Sequence, residues 1–153
     1  MPDHYVFVGF SNGGNTESIM RRVEAAVGER AAVETLLVTD VSPNASSDLT
    51  EVINRAEEDT GVVFFCPSYG RKRGQVPEPL LQRYLEWLEI ALGRPIPAFC
   101  VYTGNRTFGK EFCAAESHVV GLAEYAGVKP PVTLARLDLR GTSKDIEDIA
   151  SQL

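Results

Sequence analysis

Val62-Val63-Phe64-Phe65-Cys66 is the stretch that decides the fold. Five apolar residues in a row, without alternation, suit a central strand buried on both faces of a sheet. The next segment, 67–76, suits neither helix nor strand, since it holds Gly70, Gly74 and three basic residues. Pro77 is well placed in the first turn of a helix carrying Leu81, Tyr84, Leu85, Leu88 and Ala91, which ends at Gly93. Upstream, the spacing of Leu49, Val52, Ile53 and Ala56 predicts another helix, begun by Ser47 or Asp48. The unit is therefore helix, buried strand, special loop, helix, and it implies parallel strands.

The same alternation runs through the whole chain. Strands are expected at 5–10, 33–38, 98–102 and 132–139 as well as 62–66. A first helix carries Ile19, Met20, Val23, Ala26 and Val27 and stops at Gly28. A fourth ends near Gly127, and Thr142 caps a last helix running through Leu153. No repeat, linker or low-complexity segment interrupts the pattern, so one domain spanning 1–153 is expected. Five strands in βα alternation suit a parallel sheet of order 2-1-3-4-5 with helices on both faces.

Composition narrows the function. The 153 residues carry 15 basic and 21 acidic side chains, a net charge of −6, which argues against a general nucleic-acid binder. No apolar run approaches the ~20 residues of a membrane span. The start, Met1-Pro2-Asp3-His4, lacks a basic region followed by a long apolar stretch, so no secretory signal is expected. Three cysteines, at 66, 100 and 113, form no CxxC pair and no secreted disulfide framework, which points to the cytoplasm. Zinc is not expected either. His4 and His118 are the only histidines, and the Cys113–His118 spacing does not share a helix face.

In an open parallel sheet, ligands bind beyond the carboxyl ends of the strands, where the strand order reverses. The loops there come after the first, third and fourth strands: 11–16, 67–76 and 103–109. Ser11-Asn12-Gly13-Gly14-Asn15-Thr16 opens a helix with hydroxyls, amides and unencumbered backbone N–H groups, as a phosphate cradle does. An ordinary glycine turn capped by Asn15 or Thr16 fits equally well. The stretch lacks the lysine of GxxxxGK[ST] and the spacing of GxGxxG. Neutral donors favour a phosphate monoester over a nucleoside triphosphate. The loops after the second and fifth strands show no such signature.

Cys66 opens no phosphatase loop, because position 72, where arginine would be needed, is Lys72. It reads as a small buried residue. Tyr69 either stacks on a flat ring or sits in a surface turn, and Phe108 either faces a heterocycle or folds into the core. Cys113, placed one turn into the next helix, is expected to serve packing rather than redox chemistry. A phospho-receiver domain would need an acidic pair where Ser11 and Asn12 stand.

Gly14-Asn15-Thr16-Glu17-Ser18, Pro67-Ser68-Tyr69-Gly70 through Gly74, Val76 and Pro77, and Gly104-Asn105-Arg106 with Phe108-Gly109 and Phe112-Cys113 resemble the NrdI-type flavodoxins. Those proteins activate class Ib ribonucleotide reductases. Leu137 through Gly141-Thr142 and Asp145-Ile146 resemble the family's last strand and helix, so the similarity spans nearly the whole chain. It implies a flavodoxin-like three-layer α/β/α sandwich that binds FMN non-covalently. It implies further that the reduced flavin turns O₂ into superoxide, which lets the tyrosyl radical form at the dimanganese site of the reductase small subunit. A separate flavin-reducing electron donor is implied as well. By the resemblance Ser11, Asn12, Gly13, Asn15 and Thr16 would hold the FMN phosphate, while Ser68, Tyr69 and Gly70 border the ring and Asn105, Thr107 and Phe108 line its other side. Gly14, Pro67, Arg71, Thr103, Gly104, Gly109 and Cys113 complete the candidate cofactor-binding set.

Two features depart from the family pattern. Arg71-Lys72-Arg73 stands where many members carry glycines, and the stretch 39–61 holds a helix that some shorter members lack. A generic electron-transfer flavodoxin and a flavin-free interaction domain of the same fold are the competing readings. Charge bears on the first of these. Loops 67–77 and 103–113 together carry +4, which leaves −10 on the rest of the chain. A basic rim stabilises an anionic reduced flavin, unlike the surroundings of a very low-potential shuttle, and it orients an acidic partner surface.

Overall fold

The buried run at the centre is longer than the five residues that announce it. A computed structural model describes residues 2–10, 14–38, 49–55, 59–68 and 78–153. In it the central strand β3 runs Thr60–Pro67 and is buried at every position. β1 (His4–Phe10) lies beside it and is buried from Tyr5 onward. β2 (Ala32–Val38) and β5 (Val132–Asp138) are the sheet edges and show mixed burial, as strands with one open side should. With β4 (Ala98–Gly104), the sheet has the order β2-β1-β3-β4-β5, and every pairing is parallel.

Helices cover both faces. α1 (Asn15–Val27) and α5 (Ser143–Gln152) pack over Tyr5, Phe7, Val63, Phe65 and Val101. α2 (Leu49–Arg55), α3 (Glu78–Gly93) and α4 (Ala115–Ala126) cover the other face, over Val6, Val8, Phe64, Cys100 and Tyr102. Successive strand residues therefore feed opposite cores, which is why both central strands must be apolar throughout. On the α3 face Phe64 meets Tyr84 at 5.3 Å and Trp87 at 5.6 Å between ring centroids, both edge-on. On the α1 face the Tyr5 hydroxyl donates to the Leu153 carbonyl at 2.6 Å and ties the last residue to the first strand.

The helix ends show where local chemistry ruled. Thr142 and Asp145 form a reciprocal capping box at α5, as expected of Thr142. Gly127 ends α4 in the left-handed conformation. At α1 the cap is neither Asn15 nor Thr16. Gly14 takes that place at φ 90°, and among the described residues no side chain caps the helix. Residues 105–111 are more ordered than a polar loop. A 3₁₀ turn (Arg106–Glu111) is capped by Asn105 and broken at Gly109. Cys113 precedes α4, at φ 54°, rather than lying one turn into it. The expected starts of α2 at Ser47 or Asp48 and of α3 at Pro77 lie outside the described residues, as does Ala56. Among the described residues no helix is long and apolar enough to cross a membrane, and no cluster of three metal-ligating side chains exists.

Candidate functional site

The carboxyl ends of β1, β3 and β4 converge as the strand order requires, and hydrogen bonds join the segments just beyond them. Gly14 opens α1 with an exposed, left-handed backbone, and among the described residues nothing lies within 4 Å of where its Cβ would stand. The first backbone N–H groups of a helix have no partner within it, and no side chain caps these among the described residues. The partial positive charge at the start of a helix suits an anion.

Thr16, one residue into the helix, is 4 % exposed. Its Oγ1 lies 3.2 Å from Oγ1 of Thr103, which is equally buried at the end of β4. This contact sets the start of α1 against the end of β4, across the top of the sheet. β3 is joined to the same place by Ser68. Its N–H donates to the Thr103 carbonyl at 3.0 Å, and its Oγ accepts the Ala115 N–H at 3.1 Å. Ser68 thus caps α4 from another strand, because Ala114 offers no side-chain cap of its own. Removing that acceptor by Ser68→Ala is expected to lower stability by about 1 kcal/mol. Urea unfolding should show a lower midpoint with an unchanged slope; an unchanged midpoint contradicts the cap.

The loop after β4 is shaped from three sides. Asn105 Oδ1 accepts the Thr107 N–H at 2.9 Å and the Thr107 hydroxyl at 2.7 Å. Asp138 Oδ1 accepts the Arg106 N–H at 2.9 Å, and the Leu139 N–H donates to the Gly104 carbonyl at 2.9 Å. The Arg106 guanidinium stands 4.8 Å over the Phe112 ring, a cation–π contact. Behind Gly104 sits Cys113, buried, with its thiol 3.9 Å from the Leu137 carbonyl. Burial pushes that thiol up to about 11, against the opposing influence of Arg136, so it stays protonated at neutral pH. Nearby, Glu116 accepts from Arg136 Nε and Nη2 at 2.8 and 2.6 Å, and from Thr133 at 2.8 Å. Burial raises the Glu116 carboxyl, but these bonds outweigh it and the net shift is downward.

A family model described as NrdI flavodoxin-like matches residues 6–151. The chain belongs to that family. No curated protein sequence matches it. Solved structures share its fold at low identity. One is a short-chain flavodoxin associated with a bacterial microcompartment, with 17 % identity, a TM-score of 0.72, and coverage of 97 % of this chain and 92 % of that one. An alanine mutant of the flavodoxin from Pseudomonas aeruginosa has 18 % identity and a TM-score of 0.69, covering 97 % and 95 %. A mutant flavodoxin from Fusobacterium nucleatum, bound to flavin mononucleotide, has 14 % identity and a TM-score of 0.65, covering 99 % and 93 %. At such identities the likeness is one of fold.

In this NrdI-like flavodoxin the described candidates meet at one end of the sheet: Gly14, Asn15, Thr16, Pro67, Ser68, Thr103, Gly104, Asn105, Thr107, Gly109 and Cys113. Ser11, Asn12, Gly13, Tyr69, Gly70 and Arg71 lie outside the described residues, and so do Lys72 and Arg73. Phe108 lies in the 3₁₀ turn, and its side chain is not among those described. The loop after β5, which lacks the polar glycine signature of the other three, contributes as well. Asp138 holds the β4 loop, and Arg140 Nε donates to Asn15 Oδ1 at 3.1 Å. The available signal was Asp138-Leu139-Arg140-Gly141, a four-residue turn ending in glycine. An apolar cleft of about 560 Å³, lined by Trp87, Pro95, Ile96, Pro130 and Val132 among others, lies at the opposite end of the sheet, away from this site.

Proposed function

We propose that the chain acts as a single FMN-binding domain that activates the dimanganese–tyrosyl radical centre of a class Ib ribonucleotide reductase small subunit. Membership in the NrdI flavodoxin-like family is the observation that carries this reading. The start of α1, opened by a left-handed glycine and set against β4 by the Thr16–Thr103 contact, supports a phosphate seat there. In this reading Ser11 to Thr16 hold the phosphate, and residues 67–71 and 103–109 flank the ring. The bound flavin would supply the electron that converts O₂ to superoxide. The protein's part is to seat the cofactor, hold the loops around it and present a basic rim. A cytoplasmic location and a separate electron donor for the flavin belong to the same proposal.

The test is direct. The FMN-loaded, reduced protein is mixed with manganese-loaded class Ib small subunit and O₂, and the tyrosyl radical is followed by electron paramagnetic resonance. Radical is expected only when the protein is present. No radical, with a known activator working in parallel, overturns the activation role and leaves the electron-transfer flavodoxin. Purified protein that takes up no FMN overturns both.

A further inference from the structure

We propose that Arg140 is the charged, positioning residue of the phosphate end of the flavin site, an inference that rests on the flavin reading above. Residues 11–16 contain no lysine or arginine, and the next residue, Glu17, is acidic. A doubly charged phosphate monoester at this helix start would meet neutral donors and a carboxylate. Glu17 is partly offset by Arg21 at 3.9 Å, one helical turn on. The missing cation comes from a turn 125 residues away, where Arg140 Nε donates to Asn15 Oδ1 at 3.1 Å.

That bond does two things. A guanidinium offers only donors, so the Asn15 atom facing it must be the oxygen. The Asn15 Nδ2 is thereby left as a donor at the helix start, without a partner among the described residues. The guanidinium itself is exposed and forms no ion pair among the described residues, so its charge is not spent on a carboxylate. The turn that carries it is held firmly. Arg22, from α1, donates to the Arg140 carbonyl at 2.7 Å, and the Gly141 N–H closes the turn on the Asp138 carbonyl at 3.0 Å. Leu139 is kept at φ 52°, a left-handed conformation unfavourable for leucine, so the tertiary bonds override local preference there.

The experiment compares FMN with riboflavin, which has the same ring and no phosphate. In Arg140→Ala the dissociation constant for FMN is expected to rise about tenfold or more, while that for riboflavin is unchanged. Arg140→Lys should restore part of the loss by charge, and Arg140→Gln less, since it keeps only a donor to Asn15. Circular dichroism melting confirms that each variant folds. Equal losses for both ligands overturn the proposal, since a purely structural role would weaken both, and so does unchanged FMN affinity. Wild type that binds no FMN overturns the flavin reading instead, and inorganic phosphate then decides. Shifts of the Gly14, Asn15 and Thr16 amide resonances in wild type but not in Arg140→Ala uphold the role, and their absence in wild type overturns it.

Discussion

Phe64→Ala is expected to lower stability by about 3–5 kcal/mol. Phe64 is fully buried on β3, and its ring is met edge-on by Tyr84 and Trp87 at 5.3 and 5.6 Å. Those two rings lie 5.4 Å apart and are themselves buried, so neither can swing into the space that truncation leaves. The Tyr84 hydroxyl is further held by the Val119 carbonyl of α4 at 3.1 Å. A cavity that cannot collapse adds its own cost to the lost burial. For a chain of this size the loss corresponds to a melting temperature lower by roughly 10 °C. Calorimetry and urea unfolding check it, and a loss under about 1 kcal/mol contradicts the packing described. Phe64→Leu, which keeps much of the volume, should lose less.

The second large effect falls on the site. Gly104→Ala is expected to cost about 1–3 kcal/mol and to weaken FMN binding out of proportion to that loss. A Cβ at Gly104 would stand 2.9 Å from the Cys113 backbone nitrogen, 3.3 Å from the Phe112 ring and 3.4 Å from the Cys113 sulfur. The nearest atom is backbone, in a residue already held at φ 54°. It cannot rotate out of the way as a side-chain tip can. The strain must pass into the β4 loop, whose bonds to Leu139 and Asp138 flank Gly104. Gly121→Ala is the comparison. That glycine is on α4 with nothing among the described residues within 4 Å of its Cβ position, so alanine should be neutral or stabilising by up to about 1 kcal/mol. If the two variants behave alike in unfolding and in FMN titration, the close approach at Gly104 is not what shapes the loop.

Several parts of this protein are legible from local pattern alone. The continuous apolar run at 62–66 marks a strand buried on both faces, and β3 is the middle of the sheet. Alternation of strand and helix implies parallel pairing, and the strand count implies the order found. Thr142 announces itself as a cap, and its capping-box partner Asp145 sits within one turn. Cys66 is the small buried residue its setting suggests.

The expectations that changed share one property, which is that distant residues settled them. Asn15 and Thr16 are both sound cap candidates by composition. In the fold the Asn15 side-chain oxygen is occupied by Arg140 and the Thr16 hydroxyl by Thr103, so the cap falls to Gly14. Ser68 serves a helix 47 residues further along, and Cys113 takes a left-handed backbone behind a glycine of another element. The turn after β5 lacks the polar glycine signature of the other three, yet it braces the loops after β1 and β4. The sequence by itself thus determined the fold class and the strand order, and it pointed to one end of the sheet as the candidate site. Burial period and helix punctuation are written within a few residues of each other. Only the tertiary structure decided which polar atoms at that end are spent on one another. Hydrogen bonds spanning 87 and 125 residues are set by how strand ends meet in space, and nothing in local composition encodes that.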